Sequence, residues 1–479
     1  MVDTIIGQSR EQVFDFFDTY AYQRKEEIDQ RRLGENVGLL KSYVLETSHH
    51  NGTPDIGKAF AATGWRLDRL GDEEFFYVRG PEGEIGYLEP LSPRHLALHS
   101  FRKNDPIDRA VRRTVQETSD LDSLWLAGDA FDRLWKHVVL RNMPGRFVSI
   151  KFEHEARFEL GGREDFWFEE PDEPDASAED REQVHYEHRA ARSSFVERAD
   201  RLARLLPTLQ QTYPAFRAIR MLRLPGEERG GYDLYDWGKM THRAPSFREG
   251  RSLLLFIAQV YERVTKVIEE LTWVNAEPVR VGEQSIIPWT GAPVICRFRE
   301  PLSLSTFQNF VDTTFQRGQG PLRLWGIPIR LGEQKVHVYG LDLHLWQQIY
   351  MELTPQRFLF VIPRGTCGNT VHRLLTNIQR FVAPDVDLSI AGKDYGTLFE
   401  RSLLGRETDD AEDPCRNRSF GRDRRAYSGR IRRNRDRHGL SAADSQVLDG
   451  HSLSSRRTRP LARRGAVGVR GGWRVGSRR

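Results

Sequence analysis

The chain has 479 residues, of which 38% are hydrophobic, 10% aromatic and 29% charged, a balance that excludes a disordered polymer and leaves room for several cores. Its net charge of +4 is a sum of opposites: residues 416–479 hold 19 Arg against four acids, while residues 1–415 hold 53 basic and 64 acidic side chains, and so acidic a body argues against nucleic-acid binding by the globular part. No apolar run reaches the roughly 18 residues that span a bilayer, and MVDTIIGQSREQVFDFF is not a secretory leader, so the sequence predicts a cytoplasmic protein without membrane contact.

Residues 1–36 contain a helix, Arg10 to Arg32, with Val13, Phe16, Phe17 and Tyr20 as its docking face. A first unit, 37–143, reads as a strand Leu39 to Glu46, a helix Pro54 to Phe60, four strands between Trp65 and Phe101, and a helix Ile107 to Thr118, with Asp105 as N-cap. Residues 144–290 form a helical α+β insert that opens on an acidic linker, 159–182. It continues as a long helix with Phe195, Ala199, Leu202, Leu206 and Leu209 on one stripe, the strands FRAIRMLRLP and YDLYDWGKM, and a helix from Phe247 to Trp273.

A second unit, 291–404, begins with a strand, Pro293 to Phe298, and a helix opened by Ser303 with Phe307, Phe310, Val311 and Phe315 at helical spacing. Strands Leu322 to Ile329, Lys335 to Leu341, Gln347 to Leu353 and Phe358 to Ile362 follow, then a helix, Asn369 to Phe381. The unbroken run FLFVI marks a central strand. Residues 405–479 read as a disordered Arg-rich tail, either a segment that binds nucleic acid or an acidic partner, or the out-of-frame product of a GC-rich gene.

The two units match each other in order. Arg69-Leu70-Gly71-Asp72 pairs with Arg330-Leu331-Gly332-Glu333, Leu91-Ser92-Pro93 with Leu353-Thr354-Pro355, and Leu96 and Leu98 with Phe358 and Phe360. Leu126-Ala127-Gly128 pairs with Ile390-Ala391-Gly392, and the offset stays between 261 and 265. The expected fold class is therefore α+β: two related β-α-β-β-β-β-α units, each an antiparallel sheet gripping a helix, flanking the insert. This element order resembles one repeat of the TATA-box-binding protein fold; no sequence motif accompanies the resemblance, and it implies no function.

Chemistry is best placed at IPRGTCGNTVHR, between a buried strand and a helix. Arg364, Gly365, Thr366, Gly368, Asn369 and Arg373 offer charges, close approach and helix-start N–H groups to an anion. Cys367 and His372 are the candidate catalytic pair, although a tight turn capped by Thr366 or Asn369 explains the same residues. Tyr232, Tyr235, Trp237 and Lys239 could stack a base or a sugar, or fill a half-buried sheet. His185 and His188 lack a third metal ligand, Asp342 and His344 read as a surface pair, and Cys296, Cys367 and Cys415 form no CxxC knuckle. No metal and no cofactor are expected. The sequence favours a binding or scaffold protein with an anion or a protein partner in the groove where the units meet. Its alternatives are an enzyme acting on a phosphate- or carboxylate-bearing substrate at the Cys367 loop, and nucleic-acid binding through the tail.

Overall fold

The structure is a computed structural model that describes residues 9–32, 38–47, 56–61, 63–71, 74–81, 83–160, 190–276, 279–281, 284–286, 289–316, 318 and 320–405. The chain divides into a unit of residues 1–411 and one of 412–479, and every described residue belongs to the first. Most of the acidic linker, His185, His188, Cys415 and the Arg-rich tail lie outside the described residues.

The N-terminal helix α1 (Arg10–Asp29) starts in a capping box, Ser9 with Gln12. It is followed by β1 (Lys41–Glu46), α2 (Ile56–Ala61) and a meander of β2 (Arg66–Arg69), β3 (Phe76–Gly80), β4 (Gly83–Pro90) and β5 (His95–Ser100). Then come α3 (Asn104–Glu117), β6 (Asp122–Ser123) and α4 (Gly128–Trp135). The middle of the chain supplies β7 (Phe147–Glu155), β8 (Ala190–Arg198), α5 (Ala199–Thr212), β9 (Ile219–Pro225), β10 (Gly231–Tyr235), β11 (Lys239–His242) and the long α6 (Phe247–Thr272). These strands do not stand apart as an insert: they lengthen the first sheet to the order β2-β3-β4-β5-β1-β11-β10-β9-β7-β8, with β6 on the end of β1 that β11 leaves free.

Of the short strands that follow, β12 (Trp273–Ala276) joins the second sheet parallel to β20 (Arg357–Pro363) and β15 (Trp289–Thr290) pairs with β12, while β13 (Val279–Val281) and β14 (Gln284–Ile286) pair with each other. The rest of the second sheet and its helices are β16 (Val294–Arg297), α7 (Leu304–Thr314), β17 (Leu324–Gly332), β18 (Lys335–Asp342), β19 (Gln347–Thr354), β20, α8 (Asn369–Phe381), β21 (Asp387–Ile390), β22 (Lys393–Asp394) and α9 (Tyr395–Leu403). Its order is β17-β18-β19-β20-β16-β21-β22. In each sheet a four-strand meander ends beside the strand that preceded it, and a short later strand joins that strand's other edge, antiparallel.

Apolar alternation along the strands decides which faces are covered. In the first sheet, Val78, Leu88, Leu96 and Leu98 pack with Phe60 of α2 and Ile107, Val111 and Val115 of α3. The opposite face, through Tyr77 and Tyr87, is covered by Val13, Phe14 and Phe17 of α1. In the second sheet, Val338, Met351, Phe358 and Phe360 pack with α7 and α8. Burial of each such side chain stabilises by roughly 1.5–3 kcal/mol. The other face of the second sheet leaves Trp325, Ile327, Ile329, Tyr339 and Tyr350 exposed.

Three local expectations are corrected. Phe195 lies in β8, not in a helix, because Ala190–Arg198 pairs with β7 residue for residue; the helix starts at Ala199. YDLYDWGKM is two strands, since Gly238 takes a φ of +80° and turns the chain between Tyr235 and Lys239. Asp105 is not the cap of α3, which starts at Asn104 without a side-chain cap. Among the described residues no helix is long and apolar enough to cross a membrane.

Candidate functional site at the junction of the two sheets

The turn Arg364–Gly368 carries the chain from β20 into α8, and Gly365, at a φ of +88°, makes the reversal. Its polar groups are met from inside the protein. The side-chain oxygen of Gln347 accepts from the Cys367 amide at 2.6 Å while its nitrogen donates to the Gly365 carbonyl at 2.8 Å. The Gly368 amide donates to Glu269 at 2.8 Å, and the Trp273 indole to the Thr366 carbonyl at 2.8 Å. A carboxylate thus already sits at the start of α8, where the helix dipole favours one. Gly368 is required for it, because a Cβ there would stand 2.8 Å from Cγ of Glu269. Asn369 donates to Ser123 and accepts from Tyr261, and Thr370 donates to Asp342. Of the expected anion-binding residues, Arg364 is exposed, while Thr366, Gly368, Asn369 and Arg373 are buried.

Around this turn lie two buried ion networks. Arg94, in the turn between β4 and β5, donates through Nε to Glu46 at 2.5 Å, through Nη1 and Nη2 to Glu269 at 3.2 and 2.6 Å, and through Nη2 to Sγ of Cys367 at 3.3 Å. Arg373 of α8 bridges Asp122 of the first sheet and Asp342 of the second, and its Nε donates to the Leu322 carbonyl at 3.0 Å. Beside it, Arg323 donates to the carbonyls of Leu121 and Thr118, both at 2.7 Å. Glu46 and Asp122 are direct cross-strand neighbours, a like-charge pair that only the flanking guanidinium groups make tolerable. Burial opposes ionisation of Asp122, but Arg373 and Arg323 outweigh it and hold the carboxyl at about 2. In the same way, Arg94 overcomes burial and keeps the Glu46 carboxyl below its ordinary value. The charged side chains of both networks, which bridge the two sheets where the sequence places a groove, are buried.

Cys367 and His372 have no shared chemistry visible in this geometry. Burial, reinforced by Glu46, pushes the Cys367 thiol well above its ordinary pKa, and its S–H donates to Glu46 at 3.3 Å. His372 has both ring nitrogens engaged. The Thr265 hydroxyl gives its own proton to the Tyr261 carbonyl at 2.7 Å, so it accepts from His372 Nε2 at 3.1 Å, and Nδ1 then accepts from the Tyr395 hydroxyl at 2.7 Å. Burial lowers this imidazole to about 3.

Asp342 and His344 are no surface pair: both are fully buried, and His344 points its ring at the first sheet, Nδ1 lying 3.0 Å from the Ser119 carbonyl. Tyr232, Tyr235, Trp237 and Lys239, expected to stack a base or a sugar, are buried as well. Tyr232 donates to the Ser246 carbonyl and the Glu249 carboxylate, while Lys239 donates to Asp108 at 2.5 Å across the Tyr235 ring. Sequence reasoning missed a further relay beneath α1. Glu89 accepts from His99 Nε2 at 2.9 Å, so His99 Nδ1 accepts from Ser42 at 2.7 Å, and Ser42 in turn accepts from His242 Nε2 at 2.9 Å. The order is that of an acid, a base and a hydroxyl nucleophile, but all four residues are buried, with Phe17 and Phe247 against the His99 ring. No local motif announces it, because Ser42 and His242 are 200 residues apart.

Residues 4–397 match the model of a family described as MJECL33-like protein. A relative from Methanocaldococcus jannaschii, "Uncharacterized protein MJECL33", is 22% identical over 380 residues, covering 74% of this chain and 87% of that protein. No solved structure matches, so the likeness to the TATA-box-binding protein fold rests on element order alone.

Proposed function

The chain belongs to the MJECL33-like protein family, and we propose that it is a binding protein built from two copies of one module, the second of which offers its bare sheet face to an amphipathic helix of a partner protein. The duplication is supported by the order β2-β3-β4-β5-β1-β6 running parallel to β17-β18-β19-β20-β16-β21. Pro93 and Pro355 fall in equivalent turns, each between the last two strands of its meander.

One observation carries the docking reading. Tyr77 faces Tyr87 across β3 and β4 beneath α1, and Tyr339 faces Tyr350 across β18 and β19 at the corresponding place, without a cover among the described residues. The first pair is 3% and 1% exposed, the second 58% and 37%. With Trp325, Ile327 and Ile329 alongside, the second pair forms an apolar patch of the kind that marks an interaction surface. A helix is the expected occupant because α1 is what covers the same face of the first sheet. Arg297, Lys335 and Arg357 border the face, Lys335 and Arg357 sharing the single carboxylate of Glu352, so cations outnumber acids there and favour a helix with acidic flanks, as α1 has in Glu11, Asp15 and Asp18.

The test places a photo-crosslinking amino acid at Tyr339 of the full chain, expressed in its source organism, with Thr208 as control position. The expected result is a discrete adduct from position 339, mapped to a helix of another protein and abolished by Ile327→Asp in the same chain. An adduct with a second copy of the chain, an adduct that survives Ile327→Asp, or none beyond the control would overturn the reading.

A further inference from the structure

We propose that Glu46, His344 and Cys367 are the ligands of a divalent transition-metal ion, zinc by the chemistry of the set, that ties the two sheets together. One ligand atom of each lies within 4.8 Å of the other two, and all three side chains are buried. Glu46 ends β1 of the first sheet, His344 sits in the turn between β18 and β19 of the second, and Cys367 precedes α8.

His344 carries the argument. The Ser119 carbonyl can only accept, so at 3.0 Å it fixes the ring proton on Nδ1 and leaves Nε2 as a lone pair. That nitrogen is fully buried and has no hydrogen-bond partner among the described residues; the same holds for Oε2 of Glu46. A buried acceptor without a donor costs roughly 1–3 kcal/mol. Two of them beside a thiol form a place that a cation satisfies. An imidazole fixed through one nitrogen by a carbonyl, with the other left free, is also how metal-binding histidines are oriented. The hairpin turn that delivers it holds Leu345 and Trp346 in the left-handed region, at φ of 61° and 52°.

Charge points the same way. The buried groups around the cluster are four carboxylates, Glu46, Asp122, Glu269 and Asp342, against three guanidinium groups, Arg94, Arg323 and Arg373. With these groups ionised, the cluster is one positive charge short. A divalent ion that displaces the Cys367 proton to solvent and binds the thiolate brings the sum to zero. Mixed nitrogen, oxygen and sulfur donors select zinc over magnesium or calcium, which take oxygen ligands. Arg94, 3.3 Å from Sγ, remains as a donor to the bound thiolate. These three residues leave one position of a tetrahedral ion for a water.

The experiment is elemental analysis of the untagged full chain, joined to cobalt substitution. About one zinc per chain is expected, with a thiolate-to-cobalt charge-transfer absorption in the cobalt form. Both should be lost in Cys367→Ser and in His344→Gln, the second of which keeps a donor for the Ser119 carbonyl and so preserves the fold, checked by circular dichroism. Another transition ion at the same stoichiometry, lost in the same variants, supports the site and replaces zinc as its occupant. A chain that is purified without transition metal and gives no cobalt spectrum overturns the proposal, as does metal content unchanged in a folded His344→Gln protein.

Discussion

Tyr339 and Tyr350 face each other across neighbouring strands and meet edge to face in the open, their ring centroids 5.6 Å apart, as Tyr77 and Tyr87 face each other under a helix, their rings tilted and 5.4 Å apart. The same pairing in covered and uncovered form separates what a sheet needs for stability from what it presents to the outside.

That contrast predicts opposite responses to one substitution. Tyr339→Asp should leave the free energy of unfolding within about 0.5 kcal/mol of the parent, as surface changes do. Tyr87→Asp should lower it by about 3–5 kcal/mol, because an unpaired charge would lie against Phe17 and Phe75. Urea unfolding of the two variants decides it; equal losses would mean that the second face is packed too.

Arg373 joins the sheets through Asp122 and Asp342. Arg373→Met should cost about 3–5 kcal/mol, since both carboxylates lose their buried counter-charge. Adding Asp122→Asn to it should recover part of that loss. A double-mutant cycle measures the coupling, and additive losses would show that the two residues act independently.

Acid should weaken this junction. The Asp122 carboxyl lies at about 2 in the folded protein against an ordinary 3.8, so the unfolded chain takes up the proton first as pH falls. The associated stability, about 2 kcal/mol, is fully present above pH 4 and is lost as pH drops through about 2. Asp122→Asn should flatten the stability profile between those limits, and a slope unchanged by the substitution would contradict the assignment.

The matching glycines of Leu126-Ala127-Gly128 and Ile390-Ala391-Gly392 serve different ends. A Cβ on Gly128 would overlap the Arg217 carbonyl oxygen, whereas Gly392 has open space but a φ of +76°. Gly128→Ala should cost about 1–3 kcal/mol by overpacking. Gly392→Ala should cost roughly 1–2 kcal/mol through its backbone, and Gly392→Asn less, because asparagine tolerates that conformation. Thermal unfolding of the set checks the pattern: relief by asparagine is expected at 392 and absent at 128.

Regular elements with clean periodicity were legible in the sequence: α8 spans Asn369–Phe381, and the second meander lies where alternation put it. Phe195 misled because ARSSFVERAD satisfies a helical stripe and a strand alternation at once, and pairing with β7 chooses the strand. His344 misled for a different reason. Alternation carried Asp342 and His344 onto one strand face, whereas LHLW contains no glycine or asparagine to announce a turn with two left-handed residues. The junction was illegible because its partners are distant: Arg94 lies 273 residues from Cys367, and Asp122 lies 251 from Arg373. Composition and spacing carry no trace of such pairs.

The account turns on the outer face of the second sheet being free in the isolated chain and covered in its counterpart. Hydroxyl-radical footprinting of the purified protein, read by mass spectrometry at single residues, measures this directly. Fast oxidation of Tyr339 and Tyr350 with Tyr77 and Tyr87 protected is the predicted result. Protection of all four tyrosines to the same degree would contradict it.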